Sequence, residues 1–506
     1  MQLDETKNES ASRPTARANS RLLGFAFFSF LFFIILNRLA TTTADVDLWG
    51  YLAFGRQFWT SGHFPYRDVF SYVPTLDPWV YHEWLTGVIF YPVYKFTGSA
   101  GLQVIKYLAG SATCWFVYLT ARLRGANPLT SGLLIIMALQ GWLFFGYAPV
   151  RAQVFTYLFF AVYIFLLERA RIKQEWRYLL VLTFIQVLWC NLHGGFLAGL
   201  GLIGVYAVGE AISRRPFLPF MYALVFSTVV TLVNPYGFQY WAYLYRAVSM
   251  PRPEIWEWAS IINAYISGNI SWQEIMNPLA TLVLVVFLAI RNRWRDITAL
   301  LALAVTLYLG IKHIRHLVFF YLLMAVYVPC LFNLYIEDLQ SKVGFSVVYR
   351  RKWTAAIIII TMLLTLLIAV KFIQKSPFTL YVPAEPKSFS GPELYYPVGA
   401  VDYINGKGLE GNLLTEFGWG EYIMWNLYPK CKVALDGRYE TVYPVIVVTK
   451  YFDFIRGGQS YDIFLNDYPP DMILIAARTT LIKKISSNIK WKLVYSDVGS
   501  VLFVKR

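Results

Sequence analysis

The sequence predicts a polytopic α-helical membrane protein of about eleven membrane-spanning helices that ends in a soluble α/β domain. Three observations predict it. The 506 residues are 57% hydrophobic, 18% aromatic and only 15% charged, more apolar surface than a soluble core can hide. Apolar runs of about 17 to 22 residues, the length that crosses roughly 30 Å of hydrocarbon, recur at short intervals as far as residue 373. After Gln374 the runs shrink to a few residues and become strand-like.

The net charge of +15 is placed in short loops between apolar runs, which is the positive-inside signature and not a nucleic-acid footprint. Residues 1–20 are polar and read as a disordered cytoplasmic N-terminus. No small-residue cleavage pattern follows the run 21–40, so it reads as an uncleaved helix. Further spans are expected at 101–121, 128–148, 153–170, 177–191, 195–212, 217–234, 276–290, 296–311, 316–336 and 353–373. The inner loops then carry Arg122 and Arg124; Arg169, Arg171, Lys173 and Arg177; Arg214 and Arg215; Arg291, Arg293 and Arg295; and Arg350, Arg351 and Lys352. Every inner loop is basic, and almost no charge falls within a span.

The outer side receives the loop 41–100, the turns at Pro149, Asn191 and Lys312, the loop 235–277 and the tail 374–506. All five histidines, His63, His82, His193, His313 and His316, fall there, as one outward aqueous cavity or simple avoidance of hydrocarbon would each explain. Within 41–100, the stretches 47–59 and 82–96 read as amphipathic helices lying at the membrane interface. In the tail, 432–435, 472–476, 492–495 and 501–504 read as strands, with a turn at 497–500. Cys114, Cys190 and Cys330 lie in spans and Cys431 stands alone in the tail, so no disulfide framework is implied. The pattern Gly199, Gly201, Gly204 mimics a dinucleotide loop, but no strand precedes it and it reads as helix packing.

Asp45 and Asp47 stand directly outside the first span. Two acids at a membrane surface call for a metal, a proton or a cationic partner, although Asp47 also reads as the N-cap of the helix that follows. Asp47, Tyr51 and Gly62, with Phe64 and Pro65, are spaced as in the GT-C glycosyltransferases, and the sequence resembles that superfamily. The resemblance includes the protein O-mannosyltransferases and aminoarabinose transferases. The stretches 68–72, 79–85, 418–422, 436–438 and 470–474 resemble a bacterial GT-C-like subgroup with a C-terminal periplasmic domain. The usual Asp-Glu pair is here Asp47-Leu48, with the companion acid displaced to Asp45.

The resemblance implies a GT-C-like membrane domain over 21–373 and an extracytoplasmic domain over 374–506, in a bacterial cytoplasmic membrane. It implies transfer of a sugar, with inversion, from a polyprenyl-phosphate donor to an acceptor hydroxyl on the outer face, with Asp47 or Asp45 as the base. The acceptor class, glycan, lipid or protein, is left open, and so is a divalent metal at Asp45 and Asp47. A departing phosphate needs cations at the same depth. Lys312, His313, Arg315, His316 and Arg151 are the candidates, with snorkelling to lipid headgroups as the plain alternative. His82, Glu83, His193 and Tyr51 are the candidates for holding substrate. His82 and Glu83 also offer a second acid or metal ligand, and His313 and His316 a metal pair on one helix face. Asp436 and Arg438 read as an acceptor contact or, more simply, a salt-bridged turn. Two other classes stay in view: a transporter of lipid or glycan, for which the sequence shows no paired halves, and a non-catalytic assembly or binding protein.

Overall fold

The structure, a computed structural model, describes residues 5–142, 149–343, 347–386, 394–458 and 461–506. Fourteen helices precede the tail among these: α1 (Glu5–Leu39), α2 (Val46–Ser61), α3 (Trp84–Leu123), α4 (Pro128–Trp142), α5 (Gln153–Lys173), α6 (Arg177–Leu192), α7 (Phe196–Ile212), α8 (Leu218–Val229), α9 (Phe238–Ser249), α10 (Ile261–Ile266), α11 (Trp272–Arg291), α12 (Ile297–Lys312), α13 (Leu317–Val343) and α14 (Val347–Gln374). Five stretches are long and apolar enough to cross a membrane: Arg21–Leu39, Gln153–Lys173, Trp272–Arg291, Ile314–Ser341 and Ala355–Gln374. α4, α6, α7, α8 and α12 are apolar but shorter. The chain is a multi-pass membrane protein with α13 at its centre, while α1 and α14 pack on each other at the periphery and leave most of their apolar surface for lipid.

Two expectations change. The N-terminal stretch expected to be disordered is helix from Glu5 onward, continuous with α1. The interfacial helix expected at 82–96 is joined to the next span as the single helix α3, broken only at Gly98, whose φ of 62° and ψ of −152° are open to glycine. Its first half lies along α2 with the backbones in contact, since a Cβ on Gly55 would meet Gly87 O at 2.1 Å. The end of the span expected at 128–148 lies outside the described residues. Gly199, Gly201 and Gly204 fall inside α7, and a Cβ on Gly199 would strike the Trp189 ring at 2.5 Å, so close packing accounts for that glycine. All four cysteines are free.

The spans are less free of charge than the sequence suggested. At the bundle end opposite the 41–100 loop, Arg124 donates to Glu168 (2.6 Å) and Asp296 (2.8 Å), and Arg171 donates to Glu210 (2.6 Å) and Asp296 (2.6 Å). Tyr206 donates to Glu168 at 2.7 Å, and Thr298 to Glu210 at 2.7 Å. Every charge in the group faces an opposite one, so α3, α5, α7 and α12 are tied together there without an orphaned ion.

In the tail, β1 (Gly411–Thr415), β2 (Cys431–Val433), β3 (Met472–Ala476), β4 (Trp491–Ser496) and β5 (Ser500–Lys505) form one sheet in the order β2-β1-β3-β5-β4. β2, β1 and β3 are parallel, and β5 runs antiparallel between β3 and β4. The helices α15 (Val398–Lys407), α16 (Gly420–Leu427), α17 (Tyr439–Val442), α18 (Val445–Ile455), α19 (Tyr461–Asp467) and α20 (Leu481–Ser486) surround it.

This domain is sewn to the first outer loop. Ser71 pairs with Val433 beside β2, through Val433 N–H to Phe70 O (2.9 Å) and Tyr72 N–H to Val433 O (3.1 Å). Beneath that seam the buried Arg438 guanidinium bonds Asp436 at 2.9 and 2.6 Å and also pairs with Asp68. Tyr443 donates to Asp436 at 2.7 Å. Asp436 and Arg438 are thus an internal fastening between loop and domain, and the salt-bridged alternative describes them, widened to include Asp68.

Candidate functional site

The side chain of Asp45 accepts from the Asp47 N–H at 3.1 Å, so Asp45, and not Asp47, is the N-cap that starts α2 at Val46. Asp47 is left in the first turn with its carboxylate turned to Arg151, which lies just before α5. One guanidinium serves three acids: Nε lies 3.1 Å from Asp45, Nη2 pairs with Asp47, and Nη1 donates to Glu257 at 3.1 Å. Burial, outweighing the pull of Arg151, together with the charges of Asp47 and Glu257, raises Asp45 to about 7. Burial also opposes ionisation of Glu257, but Arg151 and Arg315 prevail and hold it below the usual carboxylate range. Asp47 is the most open of the three, its side chain 26% exposed against 11% for Asp45 and 21% for Glu257.

A second group surrounds Glu83 at the start of α3, where its carboxyl makes no capping bond. His193 Nδ1 accepts from the Gly195 N–H at 2.8 Å, so the proton of a neutral ring sits on Nε2, which lies 3.2 Å from Glu83 Oε1. Thr156 Oγ1 lies 2.8 Å from the same Nδ1 and itself accepts from the Trp189 indole at 2.8 Å. Gly195 is needed here, because a Cβ would meet Thr156 and the His193 ring at 2.5 and 2.7 Å. Burial first, and then Asp47, raises Glu83 to about 8, against a hydrogen bond from Tyr51. Burial lowers His82 to about 4, and burial with His82 and Arg315 nearby pushes His193 well below its ordinary range. At neutral pH all three are therefore uncharged and can present hydrogen bonds without a fixed charge. His82 stacks on Tyr243, with Nδ1 3.1 Å from its hydroxyl.

A third group is built on Trp258, in the 235–277 loop. The guanidiniums of Arg252 and Arg315 lie 4.4 and 4.8 Å from its ring centre. Its carbonyl is 2.6 Å from His313 Nδ1, and His316 meets the ring edge-on with centres 6.0 Å apart. Arg252 also pairs with Glu440 of the C-terminal domain at 3.1 Å. Arg252 Nε and His316 Nδ1 are buried without a hydrogen-bond partner among the described residues.

Asp45, Asp47 and Arg151 are thus in direct contact; Tyr51, His82, Glu83 and His193 form the adjoining wall; and His313, Arg315 and His316 share one aromatic ring. Arg315 acts electrostatically on Glu83, His82, His193 and Glu257, which joins the groups into one field. Lys312 does not join them: it is exposed at the end of α12, with no ion pair among the described residues. His63 is likewise exposed, beyond α2. Glu257, Trp258, Arg252, Tyr243, Thr156 and Glu440 went unnoticed in the sequence, and Glu421 was noticed only as part of the stretch 418–422. The concentration of Arg252, Glu254, Trp256, Glu257 and Trp258 within an outer loop was the signal available for three of them.

No group of three or more His, Cys, Asp or Glu is placed to hold a metal among the described residues. Between Asp45 and Asp47 the positive charge comes from Arg151, and the rings of His313 and His316 pack against Trp258, so these residues do not fit a metal in this arrangement.

A polytopic bundle with acids after the first span, the paired helices α2 and α3 beyond them and a C-terminal α/β domain against that loop is a fold this chain shares with solved membrane proteins. ArnT from Cupriavidus metallidurans, a GT-C aminoarabinose transferase, superposes with a TM-score of 0.52 at 13% identity. In its structure bound to undecaprenyl phosphate the match covers 96% of this chain and 97% of that one, and in its apo structure 97% and 98%. The Archaeoglobus fulgidus oligosaccharyltransferase, solved in a complex with Zn and sulfate, aligns at 12% identity and a TM-score of 0.48, over 96% of this chain and 73% of its own. No family model matches the sequence, and no curated protein matches it.

Proposed function

We propose that this chain is a glycosyltransferase of the bacterial cytoplasmic membrane. It moves a sugar, with inversion, from a polyprenyl-phosphate donor to an acceptor hydroxyl on the outer face, with the N-terminus inside and the C-terminal domain outside. One observation carries the reading: at one end of a membrane bundle, the most open carboxylate of an acidic cluster, Asp47, shares a single electrostatic field with the Arg252–Trp258–Arg315 stack and three uncharged hydrogen-bonding groups. The fold supports it, being shared with ArnT, whose structure holds undecaprenyl phosphate.

Asp47 takes the acceptor hydroxyl proton as the oxygen bonds the anomeric carbon, and the bond from that carbon to the phosphate oxygen breaks with its electron pair going to the phosphate. Arg315, Arg252, His313 and His316 receive that charge, and Arg315 and Arg252 do so bidentately. Arg151, paired with Asp47, holds its carboxylate in place. Glu83, His82, His193 and Tyr51 hold the sugar hydroxyls. The lipid tail stays in the bilayer.

The test is transfer of radiolabelled sugar from a panel of polyprenyl-phosphate sugars by the purified protein, comparing wild type with Asp47→Asn and Asp45→Asn. Product lost in Asp47→Asn and retained in Asp45→Asn, with both variants folded, supports the assignment. No product with any donor, or product indifferent to both substitutions, overturns it. A transporter would need a polar path through the bundle. The charges at the opposite end are closed in mutual ion pairs and do not provide one.

A further inference from the structure

The GT-C reading places the chemistry in the membrane domain and gives the C-terminal domain no part in it. The packing around Glu421 says otherwise. α16 begins at Gly420, and a Cβ there would strike Leu435 O at 2.5 Å, so the helix start is pressed onto the backbone after β2. That contact carries Glu421, in the first turn, out of its own domain and onto α2, where its Oε2 accepts from the Gly50 N–H at 3.0 Å.

The carboxyl sits in a cradle of two glycines, one from each domain. A Cβ on Gly50 would lie 2.4 Å from Oε2, and one on Gly437 would lie 2.8 Å from Oε1. The Gly437 position is also 3.5 Å from Asp47 Oδ1, so the Glu421 and Asp47 carboxyls border the same small space. Gly437 is itself fixed, lying between Asp436 and Arg438 in the buried fastening to Asp68.

Among the acids around the site, Asp45, Asp47 and Glu257 have Arg151 within ion-pair distance, Glu440 has Arg252, Asp68 and Asp436 have Arg438, and Glu83 has the His193 and His82 rings. Glu421 is equally buried, and no basic group lies within ion-pair distance of it among the described residues. An ionised carboxylate left so is costly, and an apolar side chain would serve packing better. Asp47 on α2, Asp436 and Arg438 beyond β2, Tyr81 before α3 and Tyr396 before α15 are the titratable groups that act on it. Burial, with Asp47 and Asp436 added, keeps its proton on.

We propose that Glu421 is a positioning residue: carrying a proton, it donates a hydrogen bond to Asp47 while its other oxygen holds the Gly50 N–H, so the C-terminal domain sets the aim of the carboxylate that accepts the acceptor's proton. This rests on the transferase reading. The glutamine variant presents the same pair of bonds, an amide N–H to Asp47 and a carbonyl to Gly50, whereas alanine presents neither.

Two measurements on the full-length purified protein test it. In the transfer assay, Glu421→Ala is expected to lower kcat tenfold or more with donor KM within about twofold of wild type, and Glu421→Gln to restore kcat to within about threefold, with both variants unfolding near the wild-type temperature. A parallel fall in kcat, donor affinity and unfolding temperature in Glu421→Ala, or no rescue by Gln, overturns the proposal. Infrared difference spectra at neutral pH give a readout that needs no turnover: wild type minus Glu421→Gln is expected to leave the C=O stretch of one buried protonated carboxyl, the contribution of Glu83 being common to both and cancelling. An unchanged spectrum overturns the proposal even with an active enzyme. An inactive wild type that nevertheless shows this band overturns the transferase reading, and with it the proposed role for Glu421, while upholding its protonated state.

Discussion

Replacing Arg151 with Met keeps most of the side-chain volume and removes the charge shared by Asp45, Asp47 and Glu257. At 3.1 Å and an effective dielectric of about 20, a single contact such as that to Glu257 is worth about 5 kcal/mol before desolvation is subtracted. Stranding the partners of a buried pair costs about 3–5 kcal/mol net, and three acids around one vacancy place this variant at the upper end. The cost depends on pH with a definite sign. Asp45, raised to about 7 in the fold, binds its proton more tightly folded than unfolded, so its ionisation opposes folding progressively as pH rises towards 7. Glu257 is held below its ordinary value, so its stabilisation is present above that value and is lost as pH falls through the folded one. Without Arg151 both acids oppose folding at high pH and are relieved by protons at low pH. The gap between wild type and Arg151→Met is therefore expected to be widest near pH 8 and to narrow towards pH 5. Equilibrium unfolding of the detergent-solubilised protein across that range measures it. A variant as stable as wild type at pH 8, or a gap that widens on acidification, would refute the view that the guanidinium neutralises the cluster.

Arg438→Met should leave Asp68 and Asp436 buried without a cation, cost about 3–5 kcal/mol, and loosen the C-terminal domain, read as faster tryptic cleavage between α14 and α15. Glu83, neutral below about pH 8, should support transfer up to that pH and lose effectiveness above it. The pH profile of kcat in Glu83→Gln is expected to lack that alkaline fall, whereas Glu83→Ala is low throughout. Arg171→Ala, at the far end of the bundle, should destabilise by about 3–5 kcal/mol while leaving the donor KM of the surviving folded enzyme unchanged.

The helices were legible because the period of lipid burial is written in hydropathy, and most of the expected spans fall on a helix within a few residues. β1 was not: Gly411–Thr415 has only two consecutive leucines, and its place between β2 and β3 is decided by partners distant in sequence. Asp47, Glu83, His82 and His193 stand out as candidates because their neighbouring residues are distinctive. Glu421 lay in a quoted motif, but nothing local says that it meets Gly50, 371 positions away. Arg151 was expected to meet a phosphate, and its fork is turned instead to three acids, one of them from an unremarked loop. Partners across long sequence separations were what single-sequence reasoning lacked.

The ion-pair cluster of Arg124 and Arg171 bears on how the chain enters the bilayer. In the orientation proposed, both arginines belong to inner loops, whose positive charge decides which side stays in the cytoplasm while each hairpin is threaded. At that stage the helices have not met, and Glu210 and Asp296 have yet to be brought alongside. Once they are, the same two guanidiniums pass from water into the closed network and no longer face lipid headgroups. A substitution there would act twice, first on the direction of insertion and then on assembly, and the two effects would separate in time: the fraction of wrongly oriented chains is set during synthesis, whereas the loss of packing appears only in those that entered correctly.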